Sequence, residues 1–241
     1  MRRRGDSAGP SGDAGMTLAE LLVGVVVAAM VVAAAGTLFA VGMRSNATST
    51  ARLTTINQAR VSVEAMGRSL RTAVLPSQLD DAGNTDTAFL QGEANAVSFY
   101  ANINNLNNTV GPSRVTYTVN AARQLVQTVQ PPLPNPVSHD FKYCDPALAG
   151  CVKTVTVLAE GVDVSVPLFR YYDSTGAVIS YATTCPDGNA CLSGTSLGNV
   201  DAVDLTLVLR TSGVSIGPTT YVLRVSLPNH DSVIIKNVNT P

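Results

Sequence analysis

The chain has 241 residues, with 16 Lys and Arg against 17 Asp and Glu and a formal net charge of −1. That balance implies no polyanionic partner, and without a basic stripe, aromatic stacking set or zinc-finger spacing no nucleic acid is expected as one. Aromatic residues make up 5% and Trp is absent, so Val, Leu, Ile and Ala are expected to fill the core.

Met1 to Gly15 opens with Arg2-Arg3-Arg4 and continues in small and polar residues. From Leu21 to Met43 there are 23 uncharged residues whose only polar side chain is Thr37. As a helix this run is roughly 35 Å long, enough to cross a hydrocarbon core. Arginines before such a span predict a cytoplasmic N-terminus and export of the chain beyond Met43. A secretory signal has a shorter apolar region and its cleavage site after it. Here the polar-to-apolar break comes first, so cleavage at Gly15 would leave the membrane helix on the mature chain. An uncleaved single-pass anchor is the alternative. Glu20 stands at the mouth of the apolar run, where a carboxylate has a cost and needs a reason.

Beyond Arg44 the helix is predicted to continue. Leu53, Ile56, Val63, Met66, Leu70 and Val74 recur at helical spacing and read as a core stripe, with Arg52, Arg60, Glu64, Arg68 and Arg71 largely off it. Asn46 to Thr50 is a polar, β-branched patch where the helix is expected to loosen, and Pro76 is expected to stop the pattern. One helix of about 55–60 residues results, half in the membrane and half against a domain.

A Gly/Asn/Asp-rich segment, Leu79 to Asn95, then precedes β-branched runs. Strands are predicted at Ala96–Ala101, Arg114–Val119, Gln124–Val129, Val152–Leu158, Val162–Tyr172, Ala177–Ala182, Val203–Arg210, Thr220–Leu227 and Ser232–Asn237. Asn120–Arg123 and Asp173–Gly176 read as hairpin turns, and Pro131–Pro136 as a stiff connector. The alternation of Val203, Leu205, Leu207 and Leu209 suits a strand with one face on the helix. A helix followed by antiparallel strands reads as α+β. The segments are 1–15, a leader; 16–43, the membrane helix; 44–75, its amphipathic continuation; and 76–241, an exported β-rich domain.

Four cysteines form two local pairs, Cys144 with Cys151 and Cys185 with Cys191, each beside turn-forming residues. Export favours disulfides, and adjacent pairing is preferred among three connectivities. A four-cysteine zinc site wants closer spacing within each pair. His139 and His230 lie in no recognisable triad or ligand pattern. Asp80 to Asp86 has oxygen ligands a calcium loop could use, but not the order or distal Glu of an EF-hand, and reads as a solvated loop. Asn102 to Asn108 reads as a surface loop. The chain does not look catalytic, and no cofactor is expected.

Gly15-Met16-Thr-Leu-Ala-Glu20, followed by the apolar run, resembles the prepilin signal of type IV pilins and pseudopilins. The resemblance implies cleavage between Gly15 and Met16 by a prepilin peptidase and N-methylation of Met16, Met standing where Phe is commonest. It implies that Glu20 neutralises a neighbouring subunit's terminal amine as helices bundle, with Gly24, Gly36 and Gly42 permitting close approach. The implied partners are the peptidase, other pilin or pseudopilin subunits, an inner-membrane assembly platform and the membrane itself. The implied location is the bacterial cytoplasmic membrane, then a pilus, competence filament or type II secretion pseudopilus. Major pilins often carry a helix-kinking proline in this span, and none is present here. The segments Val155–Val162 and Leu168–Gly176 look like those of PilW-type minor pilins and J-type minor pseudopilins. Together these imply a minor, low-copy subunit with a pilin-like fold. The alternative is a single-pass anchored extracellular binding or adhesive domain that belongs to no filament.

Overall fold

A computed structural model describes residues 17–79, 86–105, 110–134, 141–211 and 217–228. The chain divides into two compact units at Ser49 and Thr50. The first helix, α1, spans Leu18–Arg71. In the first unit its side chains are exposed on every side from Leu18 through Ala47. The expected loosening at Asn46–Thr50 is not seen. Thr48 Oγ1 donates to the Arg44 carbonyl at 2.9 Å, and Thr54 Oγ1 to that of Thr50 at 3.0 Å.

In the second unit α1 buries Thr55, Ala59, Ser62, Val63, Met66, Gly67, Ser69 and Leu70. This corrects the predicted stripe at its N-terminal end, because Leu53 and Ile56 are exposed. Small residues share the buried face since the sheet comes close. A Cβ on Gly67 would stand 2.7 Å from Leu223 Cδ2, and Ser62 Oγ donates to the Leu158 carbonyl at 2.8 Å. The helix also ends earlier than Pro76 requires. Thr72 Oγ1 turns back to the Ser69 carbonyl, and the Val74 amide donates to Tyr100 O at 3.0 Å, so the chain has already joined the sheet.

The strands follow in chain order: β1 Phe89–Gly92, β2 Ala96–Ala101, β3 Ser113–Val119, β4 Leu125–Gln130, β5 Thr154–Ala159 and β6 Phe169–Tyr172. A two-residue ribbon, β7 Thr183–Thr184 and β8 Ala190–Cys191, precedes a short helix, α2 Gly194–Gly198, then β9 Ala202–Leu209 and β10 Thr219–Ser226. β1 to β5 make one antiparallel sheet in sequential order, and β10, β9 and β6 a second antiparallel sheet in that order. A long apolar N-terminal helix and a C-terminal antiparallel sheet domain make this an α+β chain.

Three strand predictions need correction. Val162–Tyr172 is a strand only from Phe169, because Gly161 adopts φ +71° and Asp163 folds a tight turn through Ser165. Ala177–Ala182 is irregular, with one bridge from Tyr172 to Val178. β1 lies inside the Gly/Asn/Asp-rich segment, where no strand was predicted. Ser232–Asn237 lies outside the described residues. Val, Leu and Ala make up most of the core, as expected, but its bulkiest members are aromatic. Phe89, Phe99, Tyr117, Phe169 and Tyr171 are its largest fully buried side chains, with Phe99 between Phe89 and Tyr117 at 5.7 and 6.2 Å. Val203, Leu205, Leu207 and Leu209 share that core with Val63 and Met66 of the helix.

Candidate functional site

Gly15 and Met16 lie outside the described residues, so the site begins at Thr17. Glu20 sits in the first turn of α1. The Thr17 amide and hydroxyl each donate toward Glu20 Oε2 at 3.4 Å, and the Glu20 amide donates to Thr17 Oγ1 at 3.3 Å. This reciprocal pair is a capping box, which satisfies orphan donors at a helix N-terminus and places a carboxylate at the positive end of its dipole. The motif was legible as Thr-x-x-Glu before an apolar run, but sequence reasoning passed over it.

The apolar span beyond it is one helix long and apolar enough to cross a membrane, and its membrane-length window is wholly unburied. Thr37, its lone polar side chain, donates to the Ala34 carbonyl at 2.8 Å, leaving no unpaired hydroxyl for lipid. A Cβ at Gly24, Gly36 or Gly42 would meet nothing within 4 Å. No contact among the described residues explains these glycines.

The structure joins Cys144 to Cys151 and Cys185 to Cys191, with Cα separations of 5.5 and 5.7 Å. Each ring is tied to the five-stranded sheet by a polar residue that sequence reasoning missed. Buried Gln130, at the end of β4, donates through Nε2 to the Cys144 carbonyl at 2.6 Å and lies 3.2 and 3.3 Å from the two sulfurs. The second ring docks on β1, where the Leu192 amide donates to Gly92 O at 2.9 Å. Inside it Asn189 Nδ2 donates to Glu93 Oε2 at 3.2 Å, and Gln91 Nε2 donates to the same carboxylate. Glu93 is only 2% exposed. No local pattern marks it, because its burial is created by a ring almost a hundred residues away.

A polar cleft is lined by Arg123, Gln124, Glu160, Gly161, Arg210 and Thr211. Several of its polar groups are already engaged: Gln124 Nε2 donates to Glu160 at 3.1 Å, Arg210 Nε donates to Asp163 Oδ2 at 2.6 Å, and the Thr211 and Thr55 hydroxyls lie 2.8 Å apart. The Ser165 hydroxyl, then the Arg210 guanidinium, hold the Asp163 carboxyl down at about 2. Among the described residues the lining presents no Ser, Cys or His. Among the described residues no group of three or more His, Cys, Asp or Glu is placed to hold a metal ion. His139, His230 and residues 80–85 of the acidic loop lie outside the described residues. Asp86 accepts from Tyr100 Oη at 3.4 Å. Asn105 Oδ1 accepts from the amides of Val110 and Gly111, each at 3.0 Å, and residues 106–109 lie outside the described residues.

Compared with protein-family models, characterised proteins and solved structures, the chain matches none of them.

Proposed function

We propose that this chain is a structural subunit of a type IV pilin-like filament, anchored by α1 in a bacterial cytoplasmic membrane and cut between Gly15 and Met16 by a prepilin peptidase. The observation that carries the reading is a carboxylate, Glu20, at the mouth of an all-round apolar helical run that is unburied among the described residues. Such a helix is satisfied by lipid, and equally by a bundle of similar helices. On leaving lipid for a bundle the carboxylate must find a cation, and the methylated amine of a neighbour's Met16 is the one this family supplies. The segments resembling minor subunits, and the absent kink proline, favour low copy number. The reading assigns the chain no reaction and no cofactor.

The capping box favours a second reading, since it gives Glu20 a local task in a plain membrane anchor carrying an extracellular binding domain. Two substitutions separate them. Gln at the third helical position still caps, whereas Ala does not, and neither carries charge. Under the filament reading Glu20→Gln and Glu20→Ala both lower incorporation into sheared filaments while membrane insertion is retained. Under the anchor reading Glu20→Gln behaves as wild type throughout. The mature N-terminus is decisive beside it: a chain beginning at N-methylated Met16 supports the subunit, and one retaining Arg2–Arg4 rejects it.

A further inference from the structure

We infer that the open edge of β10 is a strand-accepting site whose occupant is this chain's own C-terminal segment, Ser232–Asn237. The pairing does not depend on how the N-terminus is processed. Among the described residues β10 hydrogen-bonds to β9 alone and ends the three-stranded sheet. A row of its backbone donors and acceptors therefore faces away from the sheet. Packing is incomplete on the same flank. Tyr221, Leu223 and Val225 stand opposite Leu207, Leu205 and Val203 of β9 in the ladder. The three β9 side chains are fully buried, whereas Tyr221 and Leu223 are only partly buried against the core. The shortfall follows from position, since β9 has a neighbour on each side and β10 has one.

Continuity selects the occupant. The Leu227 amide still donates to Asp201 O at 2.9 Å, and the described chain runs on to Pro228. Beyond it lies Ser232-Val-Ile-Ile-Lys-Asn237, a run rich in β-branched residues. Setting Val233 opposite Val225 and Ile235 opposite Leu223 leaves Leu227–Asp231 as the hairpin loop. That length is common for such loops, and Pro228, Asn229 and Asp231 suit a turn. The register puts both aliphatic side chains beside Leu223 and Val225, on the flank short of cover, and turns Lys236 to the outer face. A slip of one residue would reverse this. The other sheet ends in an open edge at β5, but on a different flank of α1. Ser62 meets Leu158 of β5 while Gly67 meets Leu223 of β10, about 140° apart around the helix. A link this short serves β10. It also holds the tail at an effective concentration of about millimolar, which favours it over the tail of a second copy. An edge occupied in this way is closed to pairing with other chains.

The test is residue-resolved hydrogen exchange on the full chain in detergent micelles. With β9 as its only partner β10 protects about half of its amides, and with a strand on either side nearly all. The expected result is protection of nearly all amides from Thr219 to Ser226, unchanged on dilution of the protein. Truncation after Asp231 should speed exchange at alternate β10 amides by about tenfold or more, with β9 and both disulfides as before. Ile235→Pro should do the same at full chain length, which keeps the comparison if truncation unfolds the domain. A synthetic peptide of residues 229–241 should bind the truncated chain, restore protection, and leave the full chain alone. Half protection in the full chain overturns the proposal with no variant needed. Protection that is lost on dilution also overturns it, because the donor is then a second copy. So does protection that truncation removes from β5 instead of β10, or a peptide that treats full and truncated chains alike.

Discussion

Gly161 shows how one backbone atom can decide a turn. Its φ is +71°, and a Cβ there would lie 2.3 Å from the Arg210 carbonyl oxygen, whose residue donates its own amide to Gly161 O at 2.8 Å. Neither the conformation nor the contact tolerates a side chain, so Gly161→Ala should lower domain stability by about 1–3 kcal/mol, read by chemical denaturation. An unchanged midpoint would mean that the turn can move aside. Asp163, two residues on, makes stability depend on acid. Its folded-state carboxyl titrates at about 2, below its usual 3.8, because Ser165 and Arg210 favour the charged form. A carboxylate depressed by folding stabilises above its unfolded value, and that contribution is lost as pH falls toward the folded one. Stability should therefore decline between about pH 4 and pH 2. Asp163→Asn should be less stable than wild type at neutral pH and should lose this part of the decline. Identical pH profiles for both proteins would remove Asp163 from the explanation.

Among the elements, the two disulfide rings are staples on the rim of the five-stranded sheet. One holds the end of β4 through Gln130, the other holds β1 through Gly92 and Glu93. Loops this short give each bond roughly 2.5 kcal/mol in the chain-entropy model. Peptide mapping without reduction should recover Cys144 linked to Cys151 and Cys185 linked to Cys191. Replacing Cys185 and Cys191 together by Ser should cost about that amount or more, because Cys191 is buried and Asn189 would lose its hold on Glu93. A double variant as stable as wild type would show that the ring only decorates β1. Free thiols throughout would point to a reducing compartment instead.

At the scale of the whole chain, the long helix has two different surfaces. From Leu21 to Met43 it is apolar on all sides, and from Thr55 to Leu70 one face joins the protein core. Val31 lies near the middle of the apolar run, where lysine costs about 2.5–3.5 kcal/mol of insertion free energy. The full chain should resist carbonate extraction from membranes, and Val31→Lys should be extracted in large part. If both pellet alike, the span does not hold the chain in lipid.

What the sequence determined by itself was whatever depends on neighbours within a turn or a strand. The apolar run, the alternation from Val203 to Leu209, the turn residues at Asn120 and Asp173 and the local cysteine pairs all carry their signal within about twenty residues. The Thr17–Glu20 box was equally local and was legible, though unread. Tertiary structure decided what depends on distant partners. Leu53 was read into the same stripe as Met66, yet only Met66 meets the core, because Leu53 lies well round the helix from the face that Thr55, Ala59, Met66 and Leu70 bury. β1 lies hidden in a Gly/Asn/Asp-rich segment and becomes a strand by pairing with β2. Composition pointed to a core filled by aliphatic side chains, and most of it is, but it did not show that Phe89, Phe99 and Tyr117 converge from three strands. Glu93 is buried only because a ring far along the chain folds over it. Periodicity tells which side chains could share a face; burial is settled by the surfaces that arrive from elsewhere in the chain.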